Sequence, residues 1–339
     1  MGRMMDTALL IEWTIKSALI ITTLLVGFAW TTYMERRVLA RIQVRIGPNR
    51  AGPFGLLQPV ADGIKLIFKE ELIPASADKL LFILAPVITL VPALIILAVV
   101  PIGPDVTLFG RTVALGLADH VNVGVLYLMA VSSISVYGVV IAGWSSNNKY
   151  ALMGGLRSSA QMISYELALG LAFVGPIILA GSMSLRDIVV DQQPLWYVVV
   201  QPLGFLVFLI ASVAEVNRAP FDMPEAEQEL TAGYHAEYSG MKFALIFMAE
   251  YDKMIAVSVI AAALFLGGYW GPGVGEVPWL GPVYLFLKVL ALLLVMVWLR
   301  ATLPRFRYDR LMAFGWKILL PVALLNVVAT AVVVVLVGG

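Results

Sequence analysis

Apolar residues run along this chain in long unbroken blocks, with polar residues swept into the gaps between them. A helix needs roughly 20 apolar residues to cross about 30 Å of hydrocarbon, and eight blocks meet that requirement. They lie at about 17–34, 80–100, 121–142, 160–181, 194–214, 243–270, 279–299 and 312–337. The pattern predicts an all-α membrane protein, with eight transmembrane helices in a single polytopic domain, 1–339. A further segment, about 56–72, is too short and too charged to span. Leu57, Val60, Ala61, Ile64 and Phe68 fall on one helical face, and Gln58, Asp62, Lys65 and Lys69 on another, with Pro59 suited to a first turn. An amphipathic helix lying along the membrane interface is predicted there. It either rests on the surface or forms one wall of a cavity opening at it.

The basic residues sort by face. Arg36, Arg37, Arg41, Arg45, Arg50, Lys65 and Lys69 follow the first block; Lys149 and Arg157 follow the third; Arg218 and Lys242 follow the fifth; Arg300, Arg305, Arg307 and Arg310 follow the seventh. The opposite gaps hold only Arg3, Lys16, Arg111 and Arg186. The positive-inside rule then places these four basic loops in the cytoplasm and both termini outside. Adding or dropping one span would scramble the sorting. The first block is not a removable signal peptide, because Asp6, Glu12 and Lys16 precede it and Glu35-Arg36-Arg37 stand where a small-residue cleavage site would be. No internal repeat is evident, which counts against the inverted-repeat transporters.

Composition agrees with burial in lipid: 60% of residues are hydrophobic and 13% charged, where soluble domains carry about 25% charged residues. There is no cysteine, so this chain offers no disulfide, iron–sulfur ligation or thiolate metal site. Its two histidines, His120 and His235, fall in gaps on opposite faces, which argues against a bis-histidine haem.

Two basic-side loops are more than linkers. The first carries two Gly-Pro steps, Gly47-Pro48 and Gly52-Pro53, that fix turns in an arginine-rich segment. A stiff basic loop suggests docking to another protein. The loop after the fifth block runs against the local charge trend, with Asp222, Glu225, Glu227, Glu229 and Glu237 between Arg218 and Lys242. Asp222 and Glu225 suit a helix cap around Pro224. The remaining acids form either a solvated face or a site that moves protons or binds a polar head group.

Carboxylates also enter the spans, where each costs at least about 2.5 kcal/mol on insertion scales and marks function by default. Glu166 and Glu250 fall about 10 Å inside the cytoplasmic boundary at helical rise; Glu215 lies at the end of the fifth block and Glu35 just past the first. None lies in the outer half of any span. Such acids either relay protons part-way across the membrane or pair with bases to hold helices together. For Asp252 and Lys253 pairing is the expectation, each with a different partner, since sequence neighbours on a helix do not face each other.

Four stretches together give the chain a family resemblance. They are Glu35-Arg36-Arg37 with Arg45-Ile-Gly-Pro-Asn-Arg-Ala-Gly-Pro; Gly143-Trp-Ser-Ser-Asn-Asn-Lys-Tyr150 running to Ala160-Gln-Met-Ile-Ser-Tyr-Glu166; Glu215-Val-Asn-Arg-Ala-Pro-Phe-Asp222; and Pro224-Glu-Ala-Glu-Gln-Glu-Leu with Gly233-Tyr-His-Ala-Glu-Tyr-Ser-Gly-Met-Lys242. Over nearly its whole length the chain resembles the H subunit of bacterial NADH-quinone oxidoreductase, respiratory complex I. The resemblance implies a non-redox subunit in the bacterial cytoplasmic membrane, inactive alone, at the joint between the peripheral and membrane arms. It implies that Arg36, Asp62, Arg218, Phe221, Asp222, Glu225, Glu227, Glu229 and Glu237 line or border the quinone chamber. Glu35, Tyr165, Glu166, Glu215 and Glu250 would form the proton path toward the pumping subunits. Quinone would be the substrate, and no metal would be bound by this chain. Partners would be the other complex I subunits and membrane lipids, with no nucleic acid; NADH, FMN and the iron–sulfur clusters would belong to the partner subunits. After Glu250-Tyr251 the family usually has uncharged residues, whereas this chain has Asp252-Lys253. Two other readings remain: the equivalent subunit of an energy-converting hydrogenase, and an independent proton-coupled transporter, against which the docking loops argue.

Overall fold

The computed structural model describes residues 7–108, 111–223 and 233–338. Helix α1, Thr7–Ile42, has 36 residues, about 54 Å at helical rise and well beyond a bilayer core. Its last turns therefore stand clear of the apolar block, and Glu35, Arg36, Arg37 and Arg41 lie on a helix, not in a loop. The Gly-Pro turns follow. Gly55 has φ +80, and a Cβ on it would lie 2.3 Å from the Pro48 carbonyl oxygen, so only glycine closes this turn. The amphipathic segment forms α2, Gln58–Ile67, shorter than 56–72.

Asp78 caps α3, Lys79–Ile95, by accepting from the backbone N–H groups of Leu80 and Leu81. A short antiparallel hairpin follows, β1 (Val106–Leu108) with β2 (Arg111–Val113). Next come α4, Gly124–Ser145, and α5, Lys149–Ala180. Asn148 caps α5, so that helix begins well before the block at 160. Gly181, at φ 64, ends it in the left-handed region. Ser184 caps α6, Leu185–Asp191. The block at 194–214 divides into α7, Tyr197–Val200, and α8, Pro202–Glu215, because Pro202 has no N–H to continue the ladder. Helix α9, Gly240–Phe265, stops short of 270 where Gly267 and Gly268 take positive φ. The chain ends in α10, Leu280–Thr302, then α11, Tyr308–Phe314, which passes through one π-helical turn at Gly315–Leu319 into α12, Leu320–Gly338.

Helices α3, α4, α5 and α8 pack in succession; α9 packs on α3, α1 and α10, and α12 on α5. Gly143 of α4 meets Gly155 of α5 nearly backbone to backbone, a Cβ on either falling 3.2–3.3 Å from the other's Cα. Small residues allow this approach between apolar helices. The core continues through Phe173, Phe208 and Phe265, whose rings meet at 5.5–5.7 Å. Helix α1 is peripheral and mostly uncovered.

Six helical stretches among the described residues are long and apolar enough to cross a membrane: Leu9–Ile42, Lys79–Val99, Gly124–Ser145, Lys149–Ala180, Leu280–Thr302 and Tyr308–Leu336. The other two expected spans differ for identifiable reasons. Helix α8 has only 14 residues, and α9 is long enough but carries Glu250, Asp252 and Lys253 together.

Candidate functional site

The site lies where α1, α8 and α10 end and α9 begins. Beyond Glu215 the chain turns sharply: Asn217 has φ 56, and the Arg218 amide bonds back to the Val213 carbonyl at 3.3 Å. The buried Gln161 amide, on α5, donates to the carbonyl oxygens of Ala214 (2.8 Å) and Phe221 (2.7 Å), one on each side of this turn. Arg218 is thereby held inward and is only 5% exposed.

A lone buried guanidinium would be untenable, and Arg218 is paired on two sides. Its Nε lies 2.7 Å from Glu250 Oε1, and its Nη1 lies 3.2 and 3.4 Å from the two carboxylate oxygens of Glu35. The guanidinium sits 4.1 Å over the ring of Tyr251. Arg300, from the end of α10, also pairs with Glu35. Burial works against charge on Arg218, but Glu250 and Glu35 outweigh it and raise its pKa above the ordinary value. Glu35, Glu250 and Arg218 thus form one cluster, which joins two expected proton-path acids to an expected chamber residue.

Next to it, Glu215 and Lys253 line a small cavity of about 20 Å³ with Ser132, Ser135 and the apolar side chains of Pro92, Ala93 and Ile96. Glu215 Oε2 is buried without a hydrogen-bond partner among the described residues. Glu166 bonds Ser133 of α4. Lys253 lies within electrostatic reach of Glu215, Glu250 and Glu166.

At the surface, Arg36 and Asp62 meet at 2.6 Å, and Gln58 donates to the other Asp62 oxygen at 3.0 Å. Part of the expected set lies apart from the cluster. The Tyr165 hydroxyl donates to the Leu311 carbonyl at 2.9 Å. Phe221 stacks on Phe306, with centroids 5.5 Å apart, beside the half-buried Asp222. Glu237 accepts from Asn148 at 2.7 Å, at the start of α5. Glu225, Glu227 and Glu229 lie outside the described residues. Asp252 is fully buried on α9, and neither carboxylate oxygen has a hydrogen-bond partner among the described residues. The separate helix-holding partner expected for it is therefore not found among the described residues. Sequence reasoning missed Tyr251, Arg300, Gln161 and the α4 serines. Ser132, Ser133 and Ser135 were legible as a polar run inside an apolar span. Arg300 passed as one more basic loop residue.

A second charged cluster sits at the hairpin end of the bundle. Asp105, Asp119 and His120 bring ligand-type atoms within 4.8 Å of one another. The Arg186 guanidinium stands among them, 3.0 and 2.7 Å from the Asp105 oxygens, 3.4 Å from Asp119 and 3.1 Å from the His120 ring. The arginine supplies the positive charge that this acid pair requires. Its hydrogen bond holds the Asp105 carboxyl below the usual range.

Fold and site together define a polytopic helical membrane protein with a row of charged side chains folded into one end of its bundle. The NADH dehydrogenase family profile matches residues 15–331, and the chain belongs to that family. The H subunit of NADH-quinone oxidoreductase from Thermomicrobium roseum is 53% identical, over 97% of this chain and 98% of its own length. The H subunit from Protochlamydia amoebophila is 54% identical over 89% of this chain and 91% of its own, and one from Syntrophobacter fumaroxidans is 50% identical over 95% and 96%.

Proposed function

We propose that this chain is the membrane subunit of a proton-pumping NADH-quinone oxidoreductase that walls the quinone chamber and couples quinone reduction to proton movement. The observation that carries this reading is the buried Arg218, locked between Glu35 and Glu250 at the head of a row of carboxylates that continues to the buried Glu215 and the half-buried Glu166. Quinone docks near the surface pair Arg36–Asp62 and the loop from Arg218 to Glu237. Reduction of the quinone draws protons from that loop. The resulting change of charge is felt first by the Arg218 cluster and then by Glu215, Glu166 and, through them, the neighbouring pumping subunits. NADH, FMN and the iron–sulfur clusters are carried by partner subunits, since this chain has no cysteine to offer a cluster.

In this reading residues 1–339 form one membrane domain with eight crossings, in which α7 with α8 makes the fifth and α9 the sixth. Helix α2 lies in the interface, and both termini face outward across a bacterial cytoplasmic membrane. Reporter fusions to the C-terminus test the orientation: an exported alkaline phosphatase should be active there and a cytoplasmic reporter silent.

The central test is on the purified native complex. It should reduce quinone with NADH, sensitively to rotenone or piericidin. Glu215→Gln and Glu227→Gln should each lower coupled quinone reduction while the complex still assembles. Wild-type rates in both would overturn the roles given to these acids.

A further inference from the structure

The acidic row contains one cation that the proposed proton path does not use. Lys253 sits on α9 one turn beyond Glu250, and it lines the same cavity as Glu215. Among the described residues these two groups make no direct ion pair; about 20 Å³ of space lies along them. A water needs roughly 10–15 Å³ and two to four polar partners. The cavity supplies both: Glu215 Oε2, which is buried with no hydrogen-bond partner among the described residues, the Lys253 ammonium, and Ser132 and Ser135 from α4. Most of its wall is apolar, and a wholly apolar void of this size would stay dry; what makes a place for water here is the patch where Glu215, Lys253 and the two serines meet.

We infer that this cavity holds bridging water, and that Lys253 acts through it as the counter-charge of Glu215, a positioning residue for proton transfer at that acid. The inference rests on the proposed role of Glu215 as a proton carrier. The charged and titratable groups facing Glu215 are few. Lys253 faces it from α9 and Glu166 from α5, while α4 contributes the hydroxyls of Ser132 and Ser135, and α3 with the residue that follows it only Pro92, Ala93 and Ile96. Among the described residues Lys253 is therefore the one cation facing Glu215, set against the repulsion of Glu166. When Glu215 releases its proton to the bridging water, the ammonium stays charged and stabilises the carboxylate left behind; when the water returns a proton, the same ammonium is freed toward Glu250 and Glu166.

The test uses the native complex in proteoliposomes, with quinone reduction and proton translocation measured together. Lys253→Met should lower coupled turnover about fivefold, and Lys253→Arg should restore most of it. In a Glu215→Gln background, Lys253→Met should cost nothing further, because the partner it serves is already neutral. Full activity in K253M, an additive loss in the double variant, or a K253R variant as poor as K253M would each overturn the inference. If E215Q is impaired while K253M is not, the inference alone fails. If E215Q behaves as wild type, the proton-carrier reading of Glu215 fails first and takes the inference with it. Should K253M not assemble on native gels, Lys253→Gln, uncharged but still able to hydrogen-bond, carries the same comparison: a similar loss supports the inference and wild-type turnover overturns it.

Discussion

Two arginines organise the charged ends of this bundle, and they do so differently. Arg186, at the hairpin end, is partly exposed and closes a local cap: its partners Asp105, Asp119 and His120 all come from the connection between α3 and α4. Arg218, at the other end, is buried and ties together α1, α9 and, through Glu35, the end of α10. The first satisfies its surroundings and stops there. The second adjoins further ionisable groups, so a change in its charge balance has neighbours to act on. An arginine–carboxylate pair therefore marks function less by its strength than by what lies next to it.

The largest effect should come from Arg218→Met. Removing one member of a buried ion cluster leaves charge uncompensated and costs about 3–5 kcal/mol. The expected outcome is loss of assembled complex on native gels, or a much lowered thermal midpoint with little quinone reduction. An R218M complex with wild-type stability and turnover would erase the distinction between the two ends.

Arg186→Met should come next. It strands the buried Asp119, and an unsatisfied buried polar group costs about 1–3 kcal/mol. The thermal midpoint should fall while inhibitor-sensitive quinone reduction per assembled complex is unchanged. A marked loss of turnover would show that the hairpin end also serves the reaction.

A smaller, pH-dependent effect follows from Asp105. Its folded pKa lies below the unfolded value of about 3.9. The stability it contributes is therefore fully present above that unfolded value and is lost as pH falls through the lower folded one. Wild-type complex should lose this increment in strongly acid buffer, and R186M should lack it at every pH. Thermal unfolding across an acid series reads the difference.

The smallest effect should come from Asp62→Asn. The Arg36–Asp62 pair is substantially exposed, and exposed pairs contribute at most about 1 kcal/mol. Stability should barely move, while the KM for quinone should rise if this pair borders the substrate's entry.

Much of the bundle was legible because lipid imposes a simple rule: α3, α4, α10 and α12 follow the apolar blocks closely. The rule fails where the backbone is decided locally. Pro202 splits one block, Asn148 starts α5 early, and Gly267 with Gly268 ends α9 early. The hairpin at Val106–Leu108 is too short for any alternation to show. In the site, the resemblance supplied Glu35 and Glu250 for the proton path and Arg218 for the chamber, as if the two were separate. That the three touch depends on the turn after Glu215 and on α1 running on to Ile42, neither of which hydropathy encodes. Asp252 read as paired with a base on another helix, but among the described residues neither of its oxygens has a hydrogen-bond partner, and which helix faces it is settled by packing that the sequence does not encode.

The side chain of Gln161 has a mechanical consequence. It grips the chain just before and just after the turn that carries Arg218, and it does so from α5, the helix that bears Glu166 little more than a turn further on. The turn cannot shift on its own without breaking two buried hydrogen bonds. A displacement larger than the glutamine side chain can follow must either break them or carry α5 along, so this one residue ties the footing of the Arg218 turn to the 32-residue helix beside it.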